Sequence, residues 1–190
     1  MKEISKEALA ALPIKRYEGP VVLVDFQKIS RLKEDLEKET IVGFDTETRP
    51  AFKPGQSYLP SLVQLATARA VYLFQVQQHD FSAVLREIFS VERITKAGVS
   101  VDDDLKNLRK LFEFQSNNVQ DLGKIAKQHG MKQTGVRNLA GILLGARIPK
   151  GAKTTNWASR TLTPQQITYA ATDAWACRVL FLRFRELGLV

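Results

Sequence analysis

Asp45 and Glu47 stand two residues apart at the end of a short apolar run, in the segment Val42-Gly43-Phe44-Asp45-Thr46-Glu47-Thr48. Side chains alternate along a strand, so both carboxylates point to one side of a sheet if strand geometry continues through Glu47. Two anions held together repel and raise each other's pKa unless a cation lies between them, and a hard divalent ion is the usual one. A solvated strand end capping the next turn is the plainer alternative, and the pair alone does not separate the two.

A second acidic group, Asp102-Asp103-Asp104, opens a helix whose apolar stripe is Leu105, Leu108, Leu111 and Phe112. Ser100 and Asp103 fit a capping box, which assigns part of this acidity to the helix N-terminus. At about 100° per residue Asp104 falls about 50° from the centre of the stripe, Asp102 about 110° away and Asp103 nearly opposite. Asp104 is the one aimed inward, and an inward carboxylate needs a partner. The third group is Tyr169 and Asp173, at i and i+4 of a helix that begins with Thr163 as N-cap, Pro164 in the first turn and Gln166 three after the cap. A lone Tyr-x-x-x-Asp is more often a surface hydrogen bond than a site. Three acid clusters together carry more weight than any one.

The elements that must position these residues read as alternating strand and helix signals. Val21 to Val24 is predicted as a strand, Ile29 to Glu39 as a helix, Ile41 to Phe44 as a buried strand and the Pro/Gly-bearing stretch Arg49 to Pro60 as a loop. Leu62 to Ala66 and Val71 to Phe74 predict a hairpin through Thr67-Ala68-Arg69-Ala70. A helix over about Phe81 to Phe89, a strand at Ile94 to Val99 and a helix from Val101 follow. Ala170, Ala171, Ala174 and Ala176 would let the last helix approach a sheet closely. The pattern predicts an α/β fold with a mixed sheet.

The chain has 190 residues, enough for one domain with a real core, and its 44% hydrophobic and 25% charged residues are ordinary for a soluble globular protein. Residues 1–19 are set apart as an N-terminal arm before a domain spanning 20–190. One Cys, Cys177, excludes an internal disulfide and a cysteine-built zinc site, and it is expected to pack as a small hydrophobe. The charged N-terminus and the absence of a long apolar run predict a soluble, unsecreted, cytoplasmic protein with no membrane partner.

The formal net charge is +8. Between Leu122 and Thr172 there is no Asp or Glu, and the eight cations of that stretch equal the whole net charge. A solvated basic face explains this as readily as a phosphate track. The segment Ala146 to Arg160 favours the track, because Arg147, Lys150, Lys153 and Arg160 share a Gly/Pro-bearing loop with Trp157. Cations suit a phosphate backbone and an indole can stack on a base, though Trp157 equally fits a core position. Thr46, between the first two acids, completes the set of candidate nucleic-acid contacts.

The three acid motifs, in order and spacing, resemble those of the 3'-5' exonucleases of the DEDD superfamily, tyrosine subgroup, which includes ribonuclease D and the Werner-type exonuclease domain. Val42 to Thr48 resembles the first motif, Lys96-Ala97-Gly98 through Asp104 the second, and Tyr169-Ala170-Ala171-Thr172-Asp173-Ala174 the third. Asn156-Trp157 before Leu162-Thr163 and Gln166 is similar to the lead into that last helix, and Thr168 stands where the histidine subgroup has His. The resemblance covers about Pro20 to Leu187. It implies a single-domain ribonuclease H-like fold, a mixed β-sheet flanked by helices, with Asp45, Glu47, Asp104 and Asp173 around two divalent cations, Mg²⁺ or Mn²⁺. Asp45 would bridge the ions, Glu47 and Asp173 would complete the one on the nucleophile side, Asp104 would serve the other, and Tyr169 would orient the attacking water. Nucleic acid with a DNA or RNA 3' end is the implied partner, released as nucleoside 5'-monophosphates, and no obligate protein partner is inferred. A catalytically silent nucleic-acid-binding module on the same fold is the rival reading. Lys106 stands where the Werner-type domain has an aromatic, so that substrate contact is not carried over.

Overall fold

The structure, a computed structural model, describes residues 2–152 and 154–190. Its sheet is organised on β2 (Ile41–Glu47). β3 (Leu62–Ala66) runs antiparallel to β2, with Gln64 opposite Asp45 and Leu62 opposite Glu47. On the other side β5 (Thr95–Gly98) runs parallel, with Lys96 beside Val42. β4 (Val71–Phe74) forms the predicted hairpin with β3, β1 (Val21–Leu23) pairs parallel to β4, and β6 (Val119–Asp121) pairs parallel to β5. The order β1-β4-β3-β2-β5-β6 is the expected mixed sheet.

Period-two alternation along β2 sorts its side chains between two layers. Val42 and Phe44 enter one core with Leu32 and Leu36 of α2 (Ile29–Glu37) and Leu85, Ile88 and Phe89 of α3 (Ser82–Ser90). Phe44 meets Phe89 edge to face at 5.1 Å, the favoured geometry for aromatic quadrupoles. Ile41, Gly43, Asp45 and Glu47 face the opposite layer, built on α7 (Pro164–Glu186). There Ile41 packs with Leu180 and Phe184, while Leu62 and Ala66 of β3 pack with Ala170, Ala171 and Ala174. Cys177 is buried in the same layer, as expected.

The start of α7 follows from its sequence. Thr163 Oγ1 accepts from the Gln166 amide and Gln166 Oε1 accepts from the Thr163 amide, closing the predicted capping box ahead of Pro164. The box predicted at Ser100, before α4 (Val101–Leu108), is not formed. Ser100 adopts a left-handed backbone (φ 59°, ψ 36°) and makes no side-chain cap, while its amide donates to Asp121 Oδ1 at 3.1 Å. A side-chain cap requires an extended N-cap backbone, which the turn out of β5 does not supply. α5 (Leu122–Gln128) and α6 (Val136–Leu144) complete the layer around α7.

Residues 4–17, within the segment set apart as an arm, lie against the domain. Ile4 is buried, its amide and carbonyl pair with the Gln133 side chain at 2.9 and 3.0 Å, and Leu9 of α1 (Lys6–Ala11) packs over Gly141 of α6. No helix among the described residues is long and apolar enough to cross a membrane.

α7 reaches β2 because residue 43 has no side chain. A Cβ there would lie 1.9 Å from the Ala174 carbonyl oxygen and 2.8 Å from the Arg178 amide nitrogen, both backbone atoms that cannot turn aside. Gly43→Ala is therefore expected to push α7 off the strand, costing about 1–3 kcal/mol as overpacking. Urea denaturation reads this loss; wild-type stability in the variant would contradict the tight fit.

Candidate active site

The close approach of α7 brings the third acid group onto the first. Asp45, Glu47 and Asp173 each offer a carboxylate oxygen within 4.8 Å of the others. Asp45 and Glu47 share the face of β2 that Gly43 opens to the helix, and Asp173 precedes Ala174, the residue lying against Gly43. Glu47 is buried and Asp45 partly so.

Asp104 comes from α4, where Val101, Leu105 and Leu108 are buried, Asp102 and Asp103 are exposed, and Asp104 lies between these extremes, as the helical angles predict. Thr46, pointing to the opposite face of β2 from its two acidic neighbours, donates its hydroxyl to Asp104 Oδ1. Its hydroxyl is thus engaged in holding a carboxylate. Asp104 stands outside the three closest carboxylates, yet its charge acts on Asp45.

The electrostatics match a cation site. Burial first, then the charges of Asp173, Glu47 and Asp104, push the Asp45 pKa well above the usual carboxylate range. Asp104 is pushed up to about 6, chiefly by burial and against the lowering effect of the Thr46 hydroxyl. Hard divalent ions take oxygen ligands and offset this repulsion, so the donor set fits such an ion. A further polar group is available beside it. Gln64, opposite Asp45 and on the same face, is fully buried, and neither end of its amide meets a hydrogen-bond partner among the described residues.

Tyr169 lies one turn before Asp173. Burial, the charges of Asp173, Glu47 and Asp45, and hydrogen bonding to Asp173 raise its pKa further above an already high phenol value. Its hydroxyl stays protonated at neutral pH and acts as a donor. The ring is fixed on two sides. Trp157 packs against it with centroids 6.0 Å apart, and Gly151 lies so close that a Cβ would sit 1.9 Å from Tyr169 Cδ2.

The candidate nucleic-acid contacts separate. Trp157 is 1% exposed and packs with Leu62, Leu162 and Ala170, so it supports Tyr169 from the core and has no free face for a base. Lys150 is exposed beside Tyr169 and Asp173, on the wall of a shared cavity. Arg147 is half-buried in the segment paired with residues 13–15. Arg160 is exposed, its carbonyl accepting from Gln75 Nε2 at 3.2 Å. Lys153 lies outside the described residues. Within the wider basic stretch, Lys124 pairs with Asp102 and Lys132 with Glu3, so its charge is dispersed over the surface. Two contributors escaped the sequence reading: Arg16, which reaches the same cavity as Lys150, and Gly151. A glycine between Lys150 and Ala152, ahead of the Asn156-Trp157 pair, was the one available signal.

Comparison with known proteins agrees with this geometry. The sequence profile described as 3'-5' exonuclease matches residues 21–188. The mouse bifunctional 3'-5' exonuclease/ATP-dependent helicase WRN is 29% identical over 189 residues, covering 93% of this chain and 13% of that protein. A putative 3'-5' exonuclease, R431, of Acanthamoeba polyphaga mimivirus is 32% identical over 181 residues, covering 85% of this chain and 44% of its own. The chain thus spans less than half the length of either relative. The crystal structure of the Aedes aegypti Nibbler EXO domain superposes with a TM-score of 0.79 at 23% identity, covering 94% of this chain and 93% of that one, and so shares its fold. By the match across residues 21–188, the chain belongs to the 3'-5' exonuclease family, within the DEDD superfamily.

Proposed function

We propose that this chain hydrolyses phosphodiester bonds one nucleotide at a time from the 3' end of single-stranded or frayed nucleic acid, releasing nucleoside 5'-monophosphates. The convergence of Asp45, Glu47 and Asp173 within 4.8 Å, beside a Tyr169 hydroxyl that keeps its proton, carries this reading. Asp45, Glu47 and Asp173, with Asp104 nearby, would hold two divalent cations, Mg²⁺ or Mn²⁺. Such ions, when bound, lower the pKa of water and stabilise charge on the leaving oxygen.

The remaining contributions belong to the protein. Asp45 and Glu47 keep fixed positions because they sit on an interior strand rather than a loop. Thr46 holds Asp104 in place through its hydroxyl. Tyr169, whose hydroxyl is hydrogen-bonded to Asp173 in the structure, would orient the attacking water through that oxygen. It does not act as the base, because its pKa is raised away from neutrality. The buried wall of Trp157 and the Gly151 backbone stop the ring from turning aside.

A time course on 5'-labelled single-stranded DNA and RNA, with Mn²⁺ or EDTA, tests the activity. A metal-dependent ladder shortening from the 3' end is expected, absent in Asp45→Ala; salt-sensitive binding without cleavage would instead mark a silent binding module. Tyr169→Phe removes only the hydroxyl and is expected to lower the single-turnover rate by about 10- to 100-fold, the value of one hydrogen bond to a charged group, with unchanged Mn²⁺ affinity. A wild-type rate in that variant would remove the water-orienting role.

A further inference from the structure

A cavity of about 380 Å³ opens beside the N-terminal half of α7, lined by Arg16, Lys150, Thr168, Tyr169, Thr172 and Asp173 among others. It shares Tyr169 and Asp173 with the carboxylate site and so adjoins it. Among the described residues, two that line it are cations from distant parts of the chain, and both are exposed.

Each is held there by its neighbours. The Lys15 amide donates to the Arg147 carbonyl at 3.0 Å and the Tyr17 amide donates to Thr172 Oγ1 at 3.1 Å, so the backbone of Arg16 is fixed on both sides, once to the basic loop and once to α7. The Arg147 amide donates to the Pro13 carbonyl at 2.9 Å, completing a short parallel bridge. Lys150 precedes Gly151, whose close contact with the Tyr169 ring fixes that loop to the same helix. Among the described residues neither cation forms an ion pair. Both cations line the cavity together with one carboxylate, Asp173, and a bidentate guanidinium fork matches a phosphate.

We propose that Arg16 and Lys150 clamp a backbone phosphate of the bound strand close to the bond being cut, so that residues 13–17 belong to the substrate cleft. This rests on the exonuclease reading and adds to it a positioning residue from outside the segment matched to the family. A strand phosphate, rather than a free nucleotide, is favoured because both cations are exposed and line a cavity that also includes Tyr169 and Asp173.

The test compares wild type, Arg16→Ala, Arg16→Lys and Lys150→Ala, with thermal unfolding as the check on folding. Arg16→Ala is expected to raise KM for a single-stranded 20-mer by about 3- to 10-fold with little change in kcat, and to reduce the salt slope of 20-mer binding by about 0.7, the value of one single-strand phosphate contact. Arg16→Lys restores most of the slope and less of the affinity, and Lys150→Ala repeats the Arg16→Ala signature. Hydrolysis of 4-nitrophenyl thymidine 5'-monophosphate, which has no second phosphate, changes less than two-fold. An unchanged KM and slope overturn the clamp. Equal losses on both substrates also overturn it, because Arg16 would then act only by supporting α7. Weaker inhibition by thymidine 5'-monophosphate with an unaltered 20-mer slope would place a free nucleotide there and overturn it too. If wild type cleaves neither substrate, the exonuclease reading fails by itself, and the slope measured by fluorescence anisotropy in EDTA still decides the clamp.

Discussion

The site depends on backbone meeting backbone at Gly43. α7 lies against β2 at a separation that no side chain at residue 43 would permit, with the Ala174 carbonyl occupying the space where a Cβ would be. Ala170, Ala171 and Ala174 keep the facing surface of the helix equally flat. The helix can then carry Tyr169 and Asp173 to the level of Asp45 and Glu47, two and four residues beyond the glycine on the same face of the strand. Deeper along α7, Leu180 and Phe184 anchor the contact through ordinary hydrophobic burial, each contributing about 1.5–3 kcal/mol. The carboxylate end is set by close approach, and the far end supplies the stability that maintains it.

That arrangement has an electrostatic cost. A carboxyl whose pKa is raised in the folded state binds more protons there than when unfolded, so stability falls as pH rises through the interval between the two values. For Asp104 this interval runs from the ordinary Asp value to about 6, and above it the cost is fully present. Asp45 shifts in the same direction. Near neutral pH the cluster is therefore strained by its own charge, and a divalent cation offsets that strain. Affinity for the cation is correspondingly expected to weaken as the solution is acidified through pH 6. The proposed clamp extends the same logic outward: residues 13–17 and 147–151 bring Arg16 and Lys150 to one cavity.

Much of this was legible in the sequence because it follows local rules. Alternation along Ile41–Glu47 put Asp45 and Glu47 on one face, and helical angles singled out Asp104 from its two neighbours. The Thr163-Pro164-Gln166 start defined the helix that carries Tyr169 and Asp173. What was not legible depends on long-range contact. Trp157 suits a base-stacking loop or a core equally well until Leu62 and Ala170 are seen around it. The Ser100 cap failed because its backbone conformation is set by the turn out of β5 and by Asp121, 21 residues further on. Arg16 carries no local signal; it matters only because residues 15 and 17 are hydrogen-bonded to parts of the chain more than 130 residues away.

Thermal unfolding of wild type and Asp45→Asn at pH 7.5, in EDTA and in Mn²⁺, reads whether the carboxylate cluster packed against α7 is completed by a divalent cation. Saturating Mn²⁺ at about 100 times its Kd corresponds to about 2.7 kcal/mol, so the Tm of wild type should rise by roughly 5–10 °C. Asp45→Asn, relieved of one repelling charge, should unfold at or above the wild-type temperature in EDTA and respond little to Mn²⁺. A wild-type Tm indifferent to Mn²⁺, or an Asp45→Asn variant less stable than wild type in EDTA, would mean that the cluster is not a cation site.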